Sequence, residues 1–246
     1  MRRVRIGIKG LDDLLQGGVP ENNSILICGG PGTGKSIFGL QFIYTGAKNK
    51  EPGLYVSIEE KPEKLREQAL FFFKDFKKLE DKKLINFLKI PTYTAGFDIV
   101  EAIKGAVKKT KAKRIVIDSL SILSINSSMY RIGLKTELPF SSAVITSNNC
   151  SSEEIKQMIY IFINKLSELP TTNLFIDDSS EQGMYLTRDA VSEFVCDGVI
   201  RLKQLMIGRT VQRVLEIIKM RNTDVKPGAH TLMFTDSGLQ IIDFRY

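Results

Sequence analysis

SILICGGPGTGKS, residues 24–36, is the stretch from which the fold can be read. Ser24 to Cys28 form a short apolar run closed by glycines, the pattern of a strand buried on both faces. Gly29 to Ser36 then match the spacing G-x-x-x-x-G-K-[ST], and each position has a chemical reason. Glycines let successive backbone N–H groups turn inward as an anion nest, Lys35 reaches terminal phosphates, and the Ser36 hydroxyl holds a Mg²⁺ ion at a helix N-terminus. The stretch therefore predicts a strand, a phosphate-binding turn and a helix, in that order.

The chain around it has 246 residues, 43% hydrophobic and 26% charged, which suits one large α/β domain over residues 1–246. The N-terminus MRRVRIGIKG has charge but no apolar segment after it, and no run of about 18 apolar residues occurs anywhere. These features predict a soluble, cytoplasmic protein without membrane contact. Cys28, Cys150 and Cys196 are too few and too scattered for a disulfide framework or a C-x-x-C metal site. One histidine, His230, leaves no His pair for zinc, and no Ser or Cys nucleophile pattern surrounds it. The net charge of +7 permits a nucleic-acid partner, but the basic residues are spread over helix surfaces and turns.

Working outward, strand and helix patterns alternate. Ile37 to Ala47 read as a buried helix, Leu54–Glu60 as a second strand, and Pro62 as the first turn of a helix with Leu65, Ala69 and Phe72 on one face. Leu84–Ile90 is a third strand. Asp98 caps a helix with the apolar face Ile99, Ile103 and Val107, and Arg114–Asp118 is a fourth strand. Residues 126–152 break the pattern and read as a mobile polar loop. Ser151 and Glu154 form a capping box for the next helix, and Thr172–Ile176 is a fifth strand ending at Asp177 and Asp178. After Val199 only strand-like runs follow. The sum is a mainly parallel, doubly wound α/β sheet with a C-terminal antiparallel extension, its ligand at the C-terminal ends of the strands.

Three further features can carry chemistry. Asp118, at the end of an apolar strand, suits the Mg²⁺ side of a phosphate-loop site. Glu59 and Glu60 close a strand expected near the phosphate loop; Glu59 suits the base that activates water, and Glu60 either tunes it or caps the Pro62 helix. Lys219 and Arg221 project to one face of a strand end, where the pattern fits both a surface pair and cations for phosphoryl transfer.

With these pieces in order, the chain resembles the KaiC-like branch of the RecA superfamily of P-loop ATPases. The likeness rests on GIKGLDDLLQGGVPENNSILICGGPGTGKS, LYVSIEEKPEKL, RIVIDSL, EFVCDGVIRL, LEIIKMRNT and FTDSGLQI. It implies a RecA-like core that assembles into a homo-oligomeric, commonly hexameric ring, with ATP and Mg²⁺ at each subunit interface. On that resemblance Gly30, Pro31, Gly32, Thr33, Gly34, Lys35, Ser36 and Ile37 hold the phosphates, Glu59 activates water, and Asp118 joins Ser36 at the metal. Lys219 and Arg221 act on the neighbour's γ-phosphate, and Arg213, Met220, Thr223 and Asp236 match positions that contact nucleotide from the same side. Two departures stand out: Asn222 replaces the glycine of K-x-R-G-T, and Asp177 and Asp178 replace a small polar pair, adding negative charge beside the γ-phosphate. Slow ATP hydrolysis with a regulatory purpose is the first functional expectation. The alternative is an ATP-switched, weakly catalytic recombinase paralogue that binds single-stranded DNA or a protein.

Overall fold

The computed structural model describes residues 1–91, 94, 96–125, 130–131, 151–180, 185–225 and 227–242. The chain opens with β1 (Arg3–Val4), α1 (Leu11–Leu14) and β2 (Val19–Pro20), a small lead-in whose two strands pair antiparallel. The alternating part follows as β3 (Ser24–Gly29), α2 (Lys35–Lys48), β4 (Gly53–Ser57), α3 (Pro62–Phe72), α4 (Phe76–Asp81) and β5 (Ile85–Lys89). It continues through β6 (Phe97–Asp98), α5 (Ile99–Thr110), β7 (Arg114–Asp118), α6 (Leu120–Ile125), β8 (Tyr130–Arg131), α7 (Ser152–Ser167) and β9 (Thr172–Asp178). After α8 (Ser192–Val195) come β10 (Gly198–Ile207), β11 (Thr210–Met220), β12 (Ala229–Thr235) and β13 (Gly238–Ile242).

Nine strands form one sheet in the order β13-β12-β11-β10-β3-β9-β7-β4-β5. The six from β10 to β5 run parallel, and β11 to β13 extend the sheet antiparallel. The doubly wound sheet with an antiparallel C-terminal extension is as expected. β4, which leads toward Glu59 and Glu60, is separated from β3 by β9 and β7. One expectation is corrected: the strand stops at Ser57, short of both glutamates.

Strand residues alternate between two cores, which explains why β3 carries no polar face. Ile25 and Ile27 pack with Phe38, Phe42, Leu65 and Phe76 from α2 to α4, whereas Leu26 packs with Ile103, Leu120 and Phe162 from α5 to α7. Helix α2 lies unusually close to the sheet. A Cβ on Gly39 would stand 2.9 Å from Val116, and one on Gly46 would stand 2.5 Å from Arg114. Arg114 is itself buried, gripping Glu51 at 2.6 and 3.0 Å and donating to the carbonyls of Arg5 (2.7 Å) and Phe42 (2.9 Å). Deleting either partner of such a pair costs about 3–5 kcal/mol, so this contact locks the lead-in, α2 and β7 together.

The expected caps are present. Asp98 accepts from Glu101 N, and Ser151 and Glu154 form the reciprocal capping box of α7. Of the expected loop 126–152, Tyr130–Arg131 pair with Phe97–Asp98 and Ser151–Ser152 start α7; residues 126–129 and 132–150 lie outside the described residues. Cys28 and Cys196 are buried thiols whose pKa burial pushes up, which leaves them unreactive. Cys150 lies outside the described residues. Among the described residues, no helix is long and apolar enough to cross a membrane.

Candidate nucleotide site

The site begins where β3 ends. Residues 30–34 turn the chain and α2 starts at Lys35, so the free N–H groups of its first turn face the turn's mouth. Gly34 takes φ +105°, and a side chain there would meet the Phe234 ring at 2.9 Å. Lys35 Nζ donates to the carbonyls of Gly29 (2.8 Å) and Gly30 (2.9 Å) and pairs with Asp178 at 3.1 Å. Thr33 closes the turn by donating to Gly30 O at 2.8 Å. From β10 and β11, Gln204 and Arg213 both donate to Gly32 O, at 3.1 and 3.2 Å. An open cleft of about 250 Å³ remains, lined by Gly32, Gly34, Lys35, Ser36, Ile37, Gln68 and Phe234.

Ser36 and Asp118, 82 residues apart, meet at 2.9 Å from Ser36 Oγ to Asp118 Oδ2, and the Tyr55 hydroxyl donates to the same oxygen at 2.6 Å. Burial raises the Asp118 pKa and the Glu60 charge adds to it, while the bonds from Tyr55 and Ser36 work the other way. The Tyr55 hydroxyl is pushed far above its ordinary value by burial and by Asp118, so it stays a donor. A hydroxyl and a carboxylate side by side are hard oxygen ligands, the donor set that suits Mg²⁺. The residues present therefore fit the metal that the sequence implies.

The two acidic residues after β9 part company. Asp178 faces the loop and pairs with Lys35. Asp177 is 1% exposed and turns away, accepting from the Ser121 hydroxyl and from Asp178 N (2.9 Å). Burial and the nearby Asp189 push its pKa up to about 8, toward the neutral form. Of the two carboxylates expected beside the phosphates, only Asp178 faces the loop, and Lys35 meets it.

Beyond β4, Ile58 is buried and keeps the sheet pairing going by donating to Asp118 O at 2.8 Å; Glu59 is exposed. Glu60 is tied down. Its carbonyl accepts from the Ser57 hydroxyl, and its carboxylate accepts from Gln68 Nε2 at 3.2 Å.

The residues expected to act from a single side are split by the strand register. Arg213 is level with Gln204, and its guanidinium lies 4.9 Å over the Phe234 ring. The exposed Asp236 follows β12 at that same end, so both stand near their own phosphate loop. Met220 opposes Gly198, which pairs with Ile25 near the start of β3; it is 6% exposed and packs in the core. Lys219, Arg221 and Thr223 lie at that far end. Lys219 Nζ donates to Phe194 O (3.3 Å), Arg221 to Asp197 (3.2 Å), and Thr223 accepts from Arg3 at 2.6 Å. Asn222 takes φ +57°, the left-handed conformation that asparagine tolerates better than most residues and that explains a glycine in the resembled motif.

Tyr55, Gln68, Gln204 and Phe234 belong to the site and no sequence signal marked them. A period-2 reading of LYVS puts Tyr55 on a core face, and only the arrival of Asp118 from β7 gives its hydroxyl a purpose.

The family model described as "ATPase: KaiC" matches residues 4–136 and 141–245. The chain belongs to this KaiC ATPase family. A UPF0273 protein of Pyrococcus furiosus is 32% identical over 257 residues, covering 97% of this chain and 93% of the relative. The circadian clock oscillator protein KaiC of Synechococcus elongatus is 29% identical over 249 residues, 97% of this chain but 44% of that protein. The crystal structure of a KaiC-like protein from the hyperthermophilic archaeon Pyrococcus horikoshii matches with TM-score 0.80 and 29% identity over 98% of this chain and 99% of that one. The chain is thus a KaiC-like member of the RecA superfamily, with the nucleotide-binding ATPase fold of that group.

Proposed function

We propose that the chain binds ATP with Mg²⁺ at the phosphate loop and hydrolyses it slowly, in a ring of identical subunits whose interfaces complete each site. The observation that carries this reading is the meeting of Lys35, Ser36 and Asp118 at one end of the sheet, with Lys219 and Arg221 held at the other. Within one copy those two cations stand level with the first residues of β3, Lys219 with Leu26 through Val199 and Arg221 beside Asp197, while the phosphates belong beyond its end. A second copy in head-to-tail contact brings the two ends together, and such contacts form a ring when the rotation between copies closes.

In this reading the backbone N–H groups of residues 30–36 and Lys35 bind the phosphates, while Ser36 and Asp118 hold the metal. Mg²⁺, when bound, neutralises charge on the phosphate oxygens. Incoming phosphate competes with Asp178 for Lys35, an exchange in keeping with slow turnover. Glu59 orients and deprotonates the attacking water, and Lys219 and Arg221 of the adjoining copy offset the developing charge.

Some of the basic surface has local partners: Lys77, Lys104 and Lys156 pair with carboxylates on their own helices, and Lys48 with Asp75 just before α4. The test is phosphate release by wild type and Glu59→Gln, together with mass in solution with and without ATP. The reading expects release to fall about 100-fold in Glu59→Gln with ATP binding kept. Equal rates remove Glu59 from the chemistry, and a monomer under both conditions removes the ring.

A further inference from the structure

The turn that carries Glu59 is held by a side chain from the edge of the sheet. Lys89 ends β5 level with Ser57 of β4, and its Nζ donates to Ile58 O at 2.6 Å and to Glu59 O at 3.0 Å. Two further bonds complete the hold: Ile90 N donates to Ser57 O at 2.9 Å, and the Ser57 hydroxyl donates to Glu60 O. Three successive carbonyls, those of Ile58, Glu59 and Glu60, are therefore occupied by side-chain donors.

That is an unusual employment for a surface lysine. Among the described residues its ammonium forms no ion pair within 4 Å of a carboxylate; its hydrogen bonds go to the backbone. Burial lowers the Lys89 pKa, and the Glu59 charge is what opposes that shift. Charge-assisted bonds to a carbonyl pair exceed ordinary neutral ones in strength, so the turn is fixed more firmly than its exposure suggests.

The geometry points to Lys89 as a positioning residue for Glu59: it fixes the backbone from which the carboxylate projects. The proposal rests on Glu59 being the base. Lys89 does not line the phosphate cleft, and β4, β7 and β9 separate its strand from β3, so its role is not in binding nucleotide.

Lys89→Met keeps the apolar stem and removes the donors, Lys89→Gln keeps one short donor, and Lys89→Arg keeps the charge and the reach. For Lys89→Met, kcat for phosphate release is expected to fall about 10-fold with KM and ATP affinity unchanged, since misplacing a catalytic group costs turnover before binding. Lys89→Arg is expected to restore most of that loss and Lys89→Gln little of it. Placed on Glu59→Gln, Lys89→Met is expected to add nothing, because a positioning residue has no effect once the group it positions is gone.

If Glu59→Gln is inactive while Lys89→Met and Lys89→Gln turn over at the wild-type rate, the positioning role is overturned and the base stands. An equal fold-loss from Lys89→Met in both backgrounds also overturns it, marking general damage. If Glu59→Gln releases phosphate at the wild-type rate, the base assignment falls and this proposal falls with it.

Discussion

At the phosphate-loop end of the sheet Lys35, Ser36 and Asp118 are secured inside the chain; at the opposite end the cations are only parked. Lys35 has three oxygen partners within 3.1 Å and 12% side-chain exposure. Arg221 is 59% exposed and pairs with Asp197 at 3.2 Å, and Lys219 has one carbonyl at 3.3 Å. Exposed pairs of that kind contribute at most about 1 kcal/mol, so a better partner displaces them readily. The proposed ring divides its site along this difference: one wall prepared by burial, the other kept available for a neighbour.

The sharpest way to break this contrast is Lys35→Ala, for which ATP affinity is expected to drop roughly 1000-fold in a calorimetric titration. Next comes Arg221→Ala, with phosphate release about 100-fold slower and ATP affinity of each copy little changed. Mixing Lys35→Ala with Arg221→Ala subunits is expected to recover part of the activity, because some interfaces then carry both intact walls. No recovery at any ratio means that the two ends do not meet across copies.

The smallest effect sharpens the contrast from within the prepared wall. Asp177 has its pKa raised from 3.8 to about 8 in the fold, so the folded state binds more protons than the unfolded one between those values. Stability from this group is therefore present below about pH 4 and is lost as pH rises toward 8. Asp177→Asn stays neutral and is expected to raise the melting temperature by several degrees at pH 8, with little change at pH 4. Identical pH profiles for the two proteins would show that Asp177 ionises normally.

Local pattern carried much of the prepared wall. The glycine spacing placed Lys35 and Ser36 directly, and Asp118 followed from an apolar strand ending in a carboxylate. Asp98 and the Ser151–Glu154 box were legible because a cap is a bond between residues three apart. What escaped was whatever depends on the order of strands in the sheet. Glu59 reads as lying near the phosphate loop, and only the sheet order shows that β7 and β9 stand between its strand and β3. Asp236 and Arg221 read as one group until the register of β10 to β12 places them at opposite ends. Lys89 is one more charge on an edge strand until β5 is set beside the Glu59 turn.

The packing of α2 also limits how such a site can operate. With Gly39 and Gly46 pressed against Val116 and Arg114, the helix has no room to slide or tilt toward the sheet, and Lys35 and Ser36 form its first turn. The phosphate end is consequently a fixed bench mark. In the proposed reading, motion during the cycle is then left to the neighbour's wall and the Glu59 turn.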